Sequence, residues 1–197
     1  MSPTLILTHG AGAGTKHPFF GRFGHALRER AIRVRTYDLP YMRAGKKRVD
    51  PPAICHTAIR DEVARAAGED DAPLFAGGKS FGGRMTSQAA AEGPLDRVRG
   101  LVFLGFPLHP PGKPGTSRAE HLARVGVPML FLQGTRDEFA ALDLLRPVVA
   151  SLGDRATLHL VDGADHSFHV LKSSGRGDGD VIDELAEVAA GWMKKRA

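Results

Sequence analysis

Six short apolar runs, each followed by a stretch of different periodicity, constrain this chain more than any other feature. They are "TLILT" at 4–8, "IRVRTY" at 32–37, "LFAG" at 74–77, "GLVFLGF" at 100–106, "PMLFLQG" at 128–134 and "TLHLV" at 157–161. Between several of them the apolar residues switch to helical spacing: Phe19, Phe20, Phe23 and Leu27; Ile54, Ala58, Ile59 and Val63; Leu142, Leu145 and Val149,. Pro147 is expected to bend or end the third of these helices,. After the sixth run the clearest helix follows, with Val181, Ile182, Leu185, Val188, Ala189, Trp192 and Met193 in one stripe,. Strand alternating with helix requires right-handed crossovers and a largely parallel sheet covered on both faces, which is why the central runs are apolar without interruption. The expectation is one α/β domain over residues 1–197, with six mostly parallel strands. A hydrophobic share of 42 % supports that size of core,.

Ligands of such sheets sit beyond the carboxyl ends of the strands. There the chain carries "HGAGAG", Asp38, "GKS", "FPLHPP", "GTRDEF" and "GADHSF". The third of these lies in "LFAGGKSFGGRM", residues 74–85, which reads two ways. "GKS" resembles the end of a phosphate-binding loop, but that loop needs a glycine five residues before Gly78, and Pro73 stands there with no N–H to offer,. "GKSFG" is also G-x-S-x-G, a serine on a sharp turn between a strand and a helix. An apolar strand leads in, and a helix-compatible segment, Phe81 to Ala91, leads out. Gly78 and Gly82 flank Ser80, where a strained turn leaves no room for neighbouring Cβ atoms,.

A serine hydroxyl is a poor nucleophile near neutral pH, so an imidazole must remove its proton and an acid must hold that imidazole in one tautomer. Ser80, Asp137 and His166 follow three different strands in the chain order that suits these roles,. Glu138, Asp162 and Asp165 are alternative acids, and His169 is an alternative base. Asp165 adjoins the histidine and would strain to reach its Nδ1 side, and His169 looks like part of the segment that continues beyond the loop. The negative oxygen of a tetrahedral intermediate needs two N–H donors, expected from Phe81 and from Ala11 in the glycine-rich loop. Gly10 and Gly12 let the backbone approach a substrate, and His9 is expected to brace the loop,. Lys79 and His109 are further candidate substrate contacts. For Lys79 an ion pair behind the turn is the preferred alternative, and for Arg84 a surface or buried ion pair.

Other chemistries fit less well. A dinucleotide fingerprint would need glycine where Thr15 stands, and Pro18 starts the helix too late,. His109, Asp165, His166 and His169 could form a metal site only without thiolates or paired carboxylates, so no metal or cofactor is expected,. The single cysteine, Cys55, reads as a buried apolar residue,. The net charge is +5, with basic clusters at "RAGKKR", residues 43–48, and at the C-terminus. No aromatic residues interleave them, which argues against nucleic acid as a partner. They read as solvated surface or as an attraction for an anionic substrate. Neither a leader nor a membrane-length apolar run follows Met1, so a cytoplasmic protein is expected,.

Taken together, "THGAGAG", "AGGKSFGGRM", "FPLHPPGKP", "QGTRDEF" and "GADHSF" resemble the α/β-hydrolase superfamily in sequence and order, over nearly the whole chain. The lysine in "GKSFGGRM" and the long "FPLHPPGKP" further resemble a small, dienelactone-hydrolase-related branch that includes a testis-expressed protein. The resemblance implies a sheet without the first two strands of larger relatives. It also implies no inserted lid, leaving an open site unless the loops at 42–53 and 108–118 cover it. Dienelactone hydrolases proper use a cysteine nucleophile, so Ser80 prevents carrying their substrate over. The expected function is hydrolysis of a small-molecule ester, thioester or similar acyl substrate through an acyl-enzyme; the alternative is a catalytically silent binding or scaffold protein. The sequence does not define an oligomeric state.

Overall fold

The computed structural model describes residues 1–197. Six strands form one sheet in the order β2-β1-β3-β4-β5-β6, and every neighbouring pair is parallel. They are β1 (Thr4–Thr8), β2 (Arg33–Tyr37), β3 (Leu74–Lys79), β4 (Val98–Leu104), β5 (Met129–Gly134) and β6 (Ala156–Val161). The order reverses between β1 and β3, which places the crevice at their carboxyl ends,.

Strand alternation divides the apolar residues between two cores. On one face Leu5, Leu7, Phe75, Val102, Leu130 and Leu132 pack under α1 (Pro18–Glu29) and α6 (Asp178–Lys194). On the other, Ile6, Ala76, Leu101, Phe103 and Phe131 pack under α3 (Pro52–Ala67), α4 (Phe81–Glu92) and α5 (Leu142–Ser151). A short helix, α2 (Pro40–Arg43), buries Tyr41 beside the second core. Both faces are therefore covered, as an all-parallel sheet requires.

One local expectation changes. Pro147 does not end its helix, because α5 runs on to Ser151. The carbonyl left without a donor is that of Asp143, and both residues lie on the exposed side of the helix, where water can bond it,. The polar stretch 172–180 leads into the last helix. It holds a 3-10 turn at Lys172–Ser174, and α6 begins at Asp178, with the Asp180 carboxylate accepting from the Gly177 N–H at 2.8 Å,. No helix is long and apolar enough to cross a membrane.

Candidate active site

Ser80 follows β3 directly and is the N-cap of α4, with φ 50° and ψ −117°, a region that L-residues avoid and that the surroundings must impose,. The reason for the flanking glycines is visible at Gly82. A Cβ there would lie 2.4 Å from the carbonyl oxygen of His9, so only glycine lets α4 approach the end of β1 this closely. The tight turn aims the Ser80 hydroxyl outward at the sheet's carboxyl edge, 2.8 Å from His166 Nε2.

The imidazole is fixed from its other side. His166 Nδ1 lies 2.7 Å from Asp137 Oδ2, and the Asp137 side chain is fully buried. A carboxylate only accepts, so Nδ1 carries the proton and Nε2 faces the serine as the acceptor. Phe139 lies against the imidazole with ring centroids 4.2 Å apart.

The alternative acids are engaged elsewhere or remote. Asp165 Oδ1 accepts from the Ser167 and His169 amides, shaping the loop that carries His166. Asp162 bonds the Thr135 hydroxyl, and Glu138 is exposed. His169 is engaged through Nδ1 with Asp178 at 2.5 Å.

Gln133 is the member of this site that sequence reasoning overlooks. It is fully buried near the end of β5, where its Oε1 accepts from the Phe106 N–H at 2.8 Å and its Nε2 donates to Asp137 Oδ2 at 2.5 Å. The Phe139 amide donates to the other carboxylate oxygen at 2.8 Å. The signal available was a lone amide side chain closing an otherwise apolar strand, because a buried polar group needs partners. Gly105, just after β4, has φ +69°, which favours glycine, and a Cβ there would touch His166 and Asp137 at 3.4–3.5 Å,.

The glycine-rich loop reaches the serine from β1. A Cβ on Gly10 would stand 3.7 Å from Ser80 Cβ. His9 is buried, with Nε2 accepting from the Leu39 amide at 2.9 Å and Nδ1 donating to the Gly10 carbonyl at 2.7 Å. Burial pushes its pKa down, which keeps the ring neutral. Tyr41 Oη lies 3.2 Å from the same carbonyl and 3.3 Å from that of Ala11. Since a trans peptide holds its N–H opposite its C=O, fixing the Gly10 carbonyl inward turns the Ala11 N–H the other way. Phe81 opens α4, where first-turn amides have no partner within the helix,.

A cavity of about 330 Å³ lies over the serine. Gly10, Ala11 and Gly12 form one wall, His17 and Phe20 of the α1 region another, and Phe139, His166, Ser167 and His169 the third, with Lys79 and Ser80 between them. The loops at 42–53 and 108–118, the two segments that could have covered an otherwise open site, contribute none of these residues. His109 is likewise not a cavity residue. It is buried, with Nδ1 2.9 Å from the Pro110 carbonyl and Nε2 accepting from the Ala141 amide at 3.0 Å, so it staples the segment bearing Phe139. The basic side chains at 43, 46, 47 and 48 are exposed and form no ion pair.

Two charged residues on the elbow also depart from expectation. Lys79 has no carboxylate partner; its Nζ donates to the His166 carbonyl at 2.7 Å and sits over the rings of Phe19 and Phe168 at 5.3 and 5.1 Å. Burial lowers its pKa to about 8, with Asp137 and Asp165 opposing the shift. Arg84 is unpaired as well: its Nε is buried without a partner, and its guanidinium lies 5.7 Å from the centre of the Phe81 ring. Cys55 is a buried free thiol, its pKa raised to about 11 chiefly by desolvation.

Fold and elbow together define an α/β hydrolase. The chain belongs to the alpha/beta hydrolase domain family, whose model matches residues 1–194. Among solved structures it is similar to Est1E from Butyrivibrio proteoclasticus with bound ferulic acid, at 15 % identity over 98 % of this chain and 89 % of that one, with TM-score 0.74. A monoacylglycerol lipase from Paleococcus ferrophilus is similar at 18 % identity, 98 % and 95 % coverage and TM-score 0.73. An α/β serine hydrolase without a lid from Xanthomonas campestris is similar at 22 % identity, 97 % and 82 % coverage and TM-score 0.70. At these identities the likeness establishes the fold.

Proposed function

We propose that the protein is a serine hydrolase that cleaves an ester, thioester or similarly activated acyl bond of a small molecule, with Ser80 as nucleophile, His166 as base and Asp137 as orienting acid. The observation that carries this reading is the unbroken line from Ser80 Oγ to His166 Nε2 at 2.8 Å and from His166 Nδ1 to Asp137 at 2.7 Å. Similar structures titled as an esterase with ferulic acid and a monoacylglycerol lipase favour an acyl ester within this broader class. The open cavity also fits the small lidless branch, related to dienelactone hydrolases, that the sequence resembles.

In the first half-reaction Ser80 Oγ attacks the acyl carbon as His166 Nε2 takes the hydroxyl proton. The Asp137 carboxylate stabilises the imidazolium through Nδ1–H without itself taking a proton. The Ala11 and Phe81 amides donate to the oxyanion, and loss of one such donor typically costs about a hundredfold to a thousandfold in rate. Collapse of the tetrahedral intermediate expels the alcohol or thiol, which receives the proton from Nε2, and leaves Ser80 acylated. Water then enters, gives its proton to His166, and releases the carboxylic acid by the same steps in reverse order.

A fluorophosphonate probe tests the assignment, since stable modification demands an activated hydroxyl. Wild type is expected to label at Ser80 and to hydrolyse p-nitrophenyl acetate. Ser80→Ala should lose both, with turnover falling on the order of a millionfold if the three groups work as a unit. Turnover retained by the variant refutes the nucleophile. Folded wild type inert to the probe and to short acyl esters instead favours a binding scaffold.

A further inference from the structure

Lys79 is adjacent to the proposed nucleophile in the chain and bonded to the backbone of the proposed base, yet no step above uses it. Its Nζ donates to the His166 carbonyl at 2.7 Å while its own peptide leads into Ser80. The Phe19 and Phe168 rings stack on each other with centroids 5.9 Å apart, and the ammonium lies 5.3 and 5.1 Å from those centroids, so the cation sits beside the stacked pair within reach of both rings,. Phe168 has φ 66°, an unfavourable conformation for a bulky residue, which shows that the loop carrying His166 is held in a shape it would not adopt alone,. Asp165 closes that loop from within through the Ser167 and His169 amides. Lys79 is the link from the loop to the elbow.

We propose that Lys79 is a positioning residue for the hydrolysis assigned above, its ammonium clamping the backbone of His166 so that the imidazole stays within hydrogen-bond reach of Ser80. The inference rests on the serine-hydrolase reading and deepens it. The clamp needs a cation, because the neutral amine loses the attraction of both rings and makes a weaker bond to the carbonyl. Several charged or titratable groups bear on it. Asp137 beyond β5 and Asp165 on the loop favour the cation, and desolvation opposes it more strongly, leaving a pKa of about 8. His166 is the group clamped, His17 and His169 share the cavity, and Asp178 of α6 is engaged by His169. The adjoining part of α1 presents the Phe19 ring.

The test measures the rate of Ser80 labelling by a neutral fluorophosphonate against pH, together with Tm at pH 7, for wild type, Lys79→Met and Lys79→Arg. Wild type should label more slowly as pH rises past about 8, where the ammonium loses its proton. Lys79→Met should label roughly tenfold to a hundredfold more slowly at pH 7, the cost of a slightly misplaced base, and show no alkaline decline. Its Tm should be equal to or above that of wild type, since a desolvated charge has been replaced by an apolar chain of similar length. Lys79→Arg should recover part of the rate and hold it above pH 8, because arginine stays charged.

Each of three results overturns the role. In the first, Lys79→Met labels at the wild-type rate with the wild-type profile. In the second, it loses rate only in proportion to lost Tm, which marks a purely structural lysine. In the third, it slows only anionic ester substrates while reacting normally with the neutral probe, which makes Lys79 a substrate contact. Wild type that never labels is a separate failure, of the nucleophile assignment, and removes the base that Lys79 would position.

Discussion

Gln133→Leu separates the architecture behind the triad from the triad itself. In the native protein the side chain satisfies two buried groups at once, the Phe106 amide at 2.8 Å and the Asp137 carboxylate at 2.5 Å. Leucine fills a similar volume but leaves the amide with no acceptor and the carboxylate short of one donor. An orphaned buried amide costs about 1–3 kcal/mol, and a lost bond to a charged group about 1.5–3 kcal/mol. The expected destabilisation is therefore about 2.5–6 kcal/mol, a large part of the roughly 5–15 kcal/mol that holds a domain of this kind together. Activity should suffer less. Asp137 still has the Phe139 amide and His166, so the line to Ser80 survives with a less rigid anchor. A fall in fluorophosphonate labelling of about tenfold, or roughly 1.4 kcal/mol, is expected. Gln133→Glu sharpens the test, because a protonated carboxyl can still accept from Phe106 and donate to Asp137, whereas the ionised form sets two negative charges together. Its labelling should be nearer wild type in acid and decline as pH rises. Urea denaturation gives the stability, and labelling kinetics give the activation. Gln133→Leu with wild-type stability and wild-type labelling at every pH would show that this network contributes nothing.

Two further outcomes follow from the geometry. Gly82→Ala forces a Cβ to within 2.4 Å of the His9 carbonyl oxygen, so α4 must move away from β1; labelling at Ser80 should fall at least a hundredfold even where circular dichroism shows a folded protein, and normal labelling would mean the elbow is not strained,. His121 is buried against Ser87 at 2.7 Å, and burial with the nearby Arg84, Arg124 and His56 lowers its pKa to about 4 from an ordinary 6.5. The unfolded chain therefore binds a proton that the fold refuses between those values, and stability should be lost as pH falls through that window, by about 3 kcal/mol in full,. His121→Gln should flatten this acid dependence in urea titrations, and an unchanged slope would assign the loss to other groups.

Much of the fold is legible in the sequence, because continuous apolar strands and striped helices state their own burial. Each of the six runs overlaps an observed strand, and β1 coincides with Thr4–Thr8. Pro147 misleads for a definable reason: the carbonyl it deprives of a donor faces solvent, and chain order does not say which side of a helix that is. The glycines around Ser80 likewise announce a turn, but only contact with the His9 carbonyl explains why Gly82 must be one.

The candidate site divides along the same line. Residue types and the order Ser80, Asp137, His166 can be read directly, since each closes a strand or follows one. What tertiary structure decided is the choice among neighbours that chemistry cannot rank: Asp165 turned to its own loop, His169 to Asp178, His109 to a backbone staple, and Lys79 to a carbonyl rather than a carboxylate. These choices depend on side-chain directions and on which loops meet, and both are set by packing between segments far apart in the chain. Periodicity records how each segment is buried. It does not record what each polar atom finds on arrival.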